Sequence, residues 1–289
     1  MSFTTLIDAA GLRDLVDKPD TAILDCRFDL MNPEGGRRAY LAGHIPGARY
    51  ADLNQDLSAP ITASSGRHPL PAAADFAATL DRLGVGPGTQ VVAYDDSSGA
   101  LAAARAWWLL RWAGHPAAAV LDGGIKAWIG LGCALESGDA QPLQAARTGR
   151  GRGSAPADSA AVIDAAELEA RLADPSFLLI DARAPERYAG TAEPIDAVAG
   201  HVKGAVNHPF STNLAADGRF LPAPELRELW AKRLAGRNPA QVASMCGSGV
   251  TACHNLLSLE IAGFSGAKLY AGSWSEWIRD PRRPIARGG

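Results

Sequence analysis

The chain has 289 residues, enough for two ordinary domains, and 47% of them are hydrophobic, which supports well-buried cores. A formal net charge of −3 gives no reason to expect nucleic acid or an anionic membrane surface as a partner. No run of about 18 apolar residues is present to span a bilayer, and Met1 to Asp8 has neither the basic segment nor the apolar core of a signal peptide.

Read in chain order, the first half offers Ile23-Leu24-Asp25-Cys26-Arg27, then Gly43-His44-Ile45-Pro46-Gly47-Ala48. A short apolar run at Val91–Tyr94 and a helical stretch at Leu101–Ala113 follow, then Val120-Leu121-Asp122-Gly123-Gly124 with Trp128. Glu136 to Asp158 is rich in Gly, Ala, Ser, Arg and Pro and lacks apolar periodicity, so it reads as a connecting segment. The second half then repeats the first. Leu179-Ile180-Asp181-Ala182-Arg183 and Gly200-His201-Val202-Lys203-Gly204-Ala205 match the earlier pieces to within one residue of register. Leu269-Tyr270-Ala271-Gly272-Ser273 with Trp277 answers the segment around Val120. An apolar run at Phe177–Ile180 leads into the first of these pieces, and a helical stretch at Pro224–Leu234, with proline at a favourable helix start, precedes the last. A period this long means two whole domains rather than a solenoid. Alternating strands and helices predict α/β domains, each a mostly parallel sheet with helices on both faces. The expected bounds are 1–135 and 159–289, joined by 136–158.

Cys246-Gly247-Ser248-Gly249-Val250-Thr251-Ala252 is the most informative stretch. It lies between an apolar run, Gln241 to Met245, and a helical run, Cys253 to Phe264. A strand that ends in cysteine, turns through two glycines and opens a helix is a nucleophile cradle. The glycines let successive N–H groups point inward, and the helix start adds free N–H groups and the positive end of its dipole. Both favour a thiolate. In the first half the strand Gln90–Tyr94 runs into Asp95-Asp96-Ser97-Ser98-Gly99-Ala100-Leu101. Matching Gly99 to Gly249 places Asp96 opposite Cys246. A carboxylate cannot carry sulfur, so the N-terminal domain is expected to be catalytically inactive, keeping a structural role and one wall of the cleft.

The loop resembles the active-site loop of the rhodanese-type sulfurtransferases, and its Cys-Gly-Ser-Gly-Val-Thr-Ala form is most similar to the 3-mercaptopyruvate branch. The repeat carries this resemblance along essentially the whole chain. It implies two tandem rhodanese-like domains, the second catalytic. It further implies that Cys246 takes a sulfane sulfur from 3-mercaptopyruvate, holds it as a persulfide, releases pyruvate and passes the sulfur to a thiol or cyanide. Thioredoxin is a candidate thiol acceptor. Thiosulfate as donor, or a non-catalytic persulfide carrier or regulatory module, are the alternatives. Thiosulfate is a compact dianion, and its enzymes tend to place basic side chains inside the loop; neutral Gly247 and Ser248 stand there instead.

The candidate substrate-binding residues are Gly247, Ser248, Gly249, Val250 and Thr251 of the loop, with Arg187 and His68. The Ser248 and Thr251 hydroxyls can donate to a persulfide or a carboxylate, although turn and helix-cap chemistry also favours Ser and Thr there. Arg187 suits a 2-oxo acid carboxylate and matches a substrate-binding arginine of the mercaptopyruvate enzymes. Arg183 has an equivalent in Arg27 and therefore more readily serves the fold through Asp181 or Glu186. Several family members carry a second arginine about ten residues further on, where this chain reads Thr191-Ala192-Glu193-Pro194-Ile195-Asp196. Gly66-Arg67-His68-Pro69 resembles the segment that brings a histidine to the site, and Arg67 is a candidate for the missing arginine. His44 and His201, equivalent in the two halves, suggest structural hydrogen bonds.

Cys26 and Cys133 read as core or loop residues. Cys253, two helical turns after Cys246, reads as a small buried residue rather than a resolving thiol. The tryptophans read as packing. A cysteine phosphatase would need an arginine closing the loop to clamp phosphate, and Val250-Thr251-Ala252 supplies none. Four cysteines without a Cys-x-x-Cys pair make neither a disulfide framework nor a zinc site, and a reducing cytoplasm fits best. The sulfur-transfer cycle that the resemblance implies needs no metal or organic cofactor.

Overall fold

The computed structural model describes residues 2–139 and 157–288. They divide into two compact units. As far as they are described, the stretches 1–59, 70–158 and 217–219 make the first, and 60–69, 159–216 and 220–289 make the second. Of the connecting segment expected at 136–158, residues 140–156 lie outside the described residues. The strip 60–69 lies inside the expected first domain, yet its contacts assign it to the second unit.

In the first unit β1 (Leu6–Ile7), β2 (Thr21–Asp25), β3 (Arg49–Tyr50), β4 (Gln90–Tyr94) and β5 (Ala118–Leu121) form a parallel sheet ordered β1-β5-β4-β2-β3. Helices α1 (Ala9–Arg13), α2 (Gly35–Ala42), α3 (Ala73–Arg82), α4 (Ala102–Trp112) and α5 (Gly124–Gly130) interleave with these strands. Val91–Tyr94 and all of β5 are buried, as parallel strands covered by helices must be. In the second unit β6 (Leu178–Asp181), β8 (Val206–Asn207), β9 (Val242–Met245) and β10 (Lys268–Leu269) form a parallel sheet ordered β10-β9-β6-β8. A separate antiparallel pair joins β7 (His201–Val202) to β11 (Ile285–Ala286). Helices α6 (Ala165–Arg171), α7 (Pro185–Ala189), α8 (Ala223–Leu234), α9 (Thr251–Ile261) and α10 (Ser273–Trp277) complete this unit.

The expected elements appear with small shifts. The helix expected over 253–264 begins at Thr251 and ends at Ile261. Its end is set by Gly263, whose φ of +81° lets the Phe264 N–H reach back to the Leu259 carbonyl at 2.8 Å. Trp128 packs in the first core, and Trp274 and Trp277 in the second.

The repeat visible in sequence is also a repeat of contacts. Arg27 pairs with buried Asp25 and donates to the Gly43 carbonyl at 2.7 Å; Arg183 pairs with buried Asp181 and donates to the Gly200 carbonyl at 2.8 Å. Tyr40 stacks on His44 at 4.1 Å, and Tyr188 stacks on His201 at 3.8 Å. Each histidine Nδ1 lies 2.9 or 2.8 Å from the carbonyl of its own tyrosine. These groups therefore hold each domain together. Glu186, the other acid considered for Arg183, is not its partner: Glu193 takes the second ion pair, at 3.4 Å.

Beneath the second sheet lies a buried polar cluster. Asn213 donates to Asn255 at 2.8 Å, Asn255 donates to the His208 carbonyl at 3.0 Å, and His208 Nε2 meets Asn213 Oδ1 at 3.0 Å. His254 stacks on Phe220 at 4.4 Å and His208 lies against Trp230 at 4.1 Å. Burial pushes His208 down to about 4 and His254 down to about 3, from 6.5 for an ordinary imidazole. On unfolding both rings take up protons that the folded state refuses. Stability is thus fully present above pH ~6.5 and falls as pH drops toward these folded values, by about 1 kcal/mol per pH unit for each histidine. His254→Leu is expected to lower stability at pH 7 through lost packing, yet to flatten the decline between pH 6.5 and 4.5. Urea midpoints across that range check it; an unchanged slope would show that His254 does not titrate on unfolding.

Candidate active site

Cys246 directly follows β9, so a buried parallel strand fixes its Cα, and the residue is only 2% exposed. Its loop is held from both sides. The Cys246 N–H donates to Ser273 Oγ at 3.0 Å, while the Cys246 and Gly247 carbonyls accept from Trp274 and Ser275 N–H at 3.0 and 2.9 Å. Inside the turn, the Gly249 N–H reaches Cys246 Sγ at 3.1 Å and the Ser248 N–H approaches it at 3.5 Å. Gly249 has a φ of +78°, and a Cβ there would lie 2.5 Å from the Ala271 carbonyl oxygen, so only glycine permits this curl. The eleven-residue α9 opens immediately after, its N-terminal dipole directed at the loop. The sulfur thus sits in a nest of N–H donors suited to negative charge.

The first unit carries the same cradle, filled differently. Its register corrects the expected alignment: Asp25 pairs with Tyr94 as Asp181 pairs with Met245, so Asp95, not Asp96, stands opposite Cys246. Matching the glycines misplaced the acid because this loop is one residue longer; Ser98 at φ +63° absorbs the extra residue. The Asp95 carboxylate accepts from Ser97, Gly99, Leu101 and Ala103 N–H at 2.9, 2.7, 3.0 and 3.2 Å. Burial nevertheless pushes its carboxyl up against the pull of those donors. Asp96 is exposed. A carboxyl group thus occupies in the first cradle the position that the Cys246 thiol has in the second.

Two guanidinium groups border the Cys246 loop. A Cβ on Gly247 would lie 3.1 Å from Arg67 Nη2 and 3.4 Å from Arg187 Nη2. Arg187 is borne by the short α7, which proline and a glycine cap confine to five residues, and it pairs with Glu193 and Asp196, each at 2.9 Å. Asp196 also takes an ion pair from Arg67. His68, 4% exposed, places Nδ1 2.8 Å from Ser248 Oγ. The structure therefore gathers Cys246, Gly247, Ser248, Gly249, Arg187 and His68 in one place, within the second unit. Val250 and Thr251 sit at the start of α9, which carries no side-chain cap, so Thr251 does not have the capping role considered for it. Cys253 is buried and donates to the Gly249 carbonyl at 3.2 Å, bracing the turn.

Sequence reasoning did not single out Ser273, Ser275, Glu193 or Asp196. Ser273 and Ser275 lie beside the repeat segment Leu269–Ser273, the one signal that marked their neighbourhood. Glu193 and Asp196 were visible only as the acids standing where a second arginine was sought. Among the described residues no three His, Cys, Asp or Glu side chains gather as a metal site, and no helix is long and apolar enough to cross a membrane.

The two halves of this parallel α/β repeat, one cradle holding Cys246 and the other Asp95, are each matched by the rhodanese-like domain model, over residues 8–131 and 164–280. The chain belongs to the rhodanese-like domain family. Across 290 aligned residues, covering 100% of both chains, it is 49% identical to a Pseudomonas aeruginosa protein named "Probable 3-mercaptopyruvate sulfurtransferase". It is 38% identical to human 3-mercaptopyruvate sulfurtransferase, over 85% of this chain and 80% of that one. It is 32% identical to rat thiosulfate sulfurtransferase, over 93% and 90%. The crystal structure of SseA from Escherichia coli, described as a 3-mercaptopyruvate sulfotransferase with the rhodanese fold, superposes with a TM-score of 0.78 at 31% identity, covering 95% of this chain and 100% of that chain.

Proposed function

We propose that this protein is a sulfurtransferase that takes the sulfur of 3-mercaptopyruvate onto Cys246 and delivers it to a thiol or to cyanide. The observation that carries the reading is the Gly249 N–H aimed at Cys246 Sγ at 3.1 Å, beside a loop whose own side chains are neutral and whose positive charge comes from Arg187 at its rim.

In the first half-reaction Arg187 and Ser248 orient the donor by its carboxylate and carbonyl. The Cys246 thiolate attacks the donor sulfur. The carbon–sulfur bond breaks, its electron pair leaves as pyruvate enolate, and the enolate is then protonated to pyruvate. The outer sulfur remains as a persulfide, its charge held by the Ser248 and Gly249 N–H groups, with Gly247, Val250 and Thr251 lining the same turn. Ser248 and His68, 2.8 Å apart, form a proton-transferring pair at the loop. In the second half-reaction an acceptor thiolate such as that of thioredoxin attacks the outer sulfur, the sulfur–sulfur bond breaks, and the Cys246 thiolate is regenerated. The cycle is ping-pong. The N-terminal domain (1–135), its cradle filled by Asp95, is catalytically inactive; the domain at 159–289 is catalytic; and 136–158 connects them. A reducing cytoplasm keeps Cys246 available.

Steady-state transfer to cyanide, run side by side with 3-mercaptopyruvate and thiosulfate, tests the donor. The expected result is a kcat/KM at least tenfold higher for 3-mercaptopyruvate, since a compact dianion finds no basic side chain within the loop. A preference for thiosulfate, the donor in the name of the rat relative, would overturn the roles of Gly247, Ser248 and Arg187 while sparing Cys246. Loading of Cys246 without turnover would leave a persulfide carrier.

A further inference from the structure

We propose that a cavity on the second unit, separate from the Cys246 loop, binds a small oxyanion that keeps a proton at neutral pH, of the hydrogen phosphate kind. Lys232 and Arg233 neutralise its charge, and His208 Nδ1 accepts its hydroxyl hydrogen. Such a site is independent of the donor reading above.

The cavity has a volume of about 310 Å³ and is lined by His208, Thr212, Leu229, Lys232 and Arg233. None of these belongs to the Cys246 loop or to its rim. Two cations and no acid face the space, and neither cation has an ion pair among the described residues. On their own, two basic residues in the last turn of α8 would be accounted for by the helix dipole. The imidazole beside them is what points to a ligand. His208 is 3% exposed, lies against Trp230 at 4.1 Å, and is fixed through one nitrogen only. Asn213 gives its amide N–H groups to Asn255 Oδ1 at 2.8 Å and His254 Nδ1 at 3.4 Å. Asn213 Oδ1 is therefore left to accept, and His208 Nε2, 3.0 Å away, must donate. Thr212 agrees, because its hydroxyl donates to the Pro209 carbonyl at 2.7 Å and so accepts from the same Nε2 at 3.1 Å. A histidine with its hydrogen on Nε2 carries a bare lone pair on Nδ1. Burial, with the Arg233 charge adding to it, holds the ring neutral well below pH 7, so that lone pair persists. Nδ1 has no hydrogen-bond partner among the described residues. A buried acceptor left unpaired is costly, and the cavity is where a donor can reach it. The site thus calls for negative charge and an O–H on one small molecule. Hydrogen phosphate has both. Sulfate is a tetrahedral dianion too, but without the hydrogen it sets an oxygen lone pair against the Nδ1 lone pair.

Calorimetric titration of the full chain with inorganic phosphate and with sulfate, at about pH 8 and matched ionic strength, tests this. Phosphate still carries one hydrogen there and sulfate none. Wild type is expected to bind phosphate roughly tenfold or more tighter than sulfate. Lys232→Met and Arg233→Met are each expected to weaken phosphate by roughly tenfold or more, the scale of a lost charged hydrogen bond. Both side chains are exposed, so the thermal midpoint without phosphate should stay where it is. His208→Gln keeps an amide N–H for Asn213 and removes the Nδ1 acceptor, and it is expected to bring phosphate affinity down to that of sulfate. If that variant does not fold, the wild-type selectivity and the two α8 variants still decide. Equal binding of the two anions by wild type would mean that exposed cations act alone. Phosphate binding that survives both α8 substitutions would belong to the arginine rim of the Cys246 loop. Either result, or no phosphate binding at millimolar concentration, overturns the proposal and leaves the donor reading untouched.

Discussion

Cys246→Ser is expected to reduce sulfur transfer from 3-mercaptopyruvate by about a thousandfold or more, the scale on which removal of a covalent nucleophile acts. A serine hydroxyl stays protonated at neutral pH and is a poor nucleophile toward sulfur, so no sulfur-loaded intermediate forms. The nest around the sulfur makes the loss specific. Ser248 and Gly249 N–H groups at 3.5 and 3.1 Å point at the sulfur of residue 246, and a smaller hydroxyl oxygen does not replace it in that role. The fold should persist, because the loop is held through its backbone by Ser273, Trp274 and Ser275. Intact-protein mass spectrometry after one exposure to 3-mercaptopyruvate separates the outcomes. Wild type is expected to gain one sulfur atom, mapped to the peptide containing Cys246, and the variant none. Sulfur recovered on buried Cys253, or transfer within tenfold of wild type, would show that another thiol is the carrier.

The second large effect is on stability. Arg183→Ala is expected to destabilise the catalytic domain by about 3–5 kcal/mol, the cost of leaving a buried carboxylate without its partner. Asp181 is fully buried at the end of β6 and accepts from Arg183 through the backbone N–H at 3.0 Å and the guanidinium at 3.0 and 2.6 Å. The same guanidinium pairs with Glu193 and lies over the Trp274 ring at 4.8 Å. Its loss therefore removes an ion pair, a cation–π contact and one support of the acid that orients Arg187. Against a total stability of about 5–15 kcal/mol, this is a large fraction. Denaturant unfolding of the full chain measures it. A loss below about 1 kcal/mol would mean that water reaches Asp181 and replaces the arginine.

What could be read from residue order is the part written by short-range chemistry. The nucleophile loop, the two-domain repeat and the parallel α/β class rest on local patterns: a glycine where φ must be positive, a cysteine at a strand end, apolar runs alternating with helical ones. Gly249 shows it, since no other residue tolerates its φ of +78° and its 2.5 Å approach to Ala271. The structural role of Arg183, equivalent to Arg27 in the repeat, was likewise legible, although residue order left its partner open between Asp181 and Glu186. The disarmed cradle was only half legible: an acid was expected, but loop length hid which one until strand pairing aligned Tyr94 with Met245 and placed Asp95 among four N–H groups. The remainder belongs to tertiary structure. That Arg67 and His68 reach the loop of a cysteine far along the chain, that Asp196 stands between two arginines, and that Ser273 and Ser275 brace the turn are contacts across long sequence separations. No local propensity encodes them. They exist because packed strands bring distant segments to one sheet end, where buried charges must find partners or be expelled.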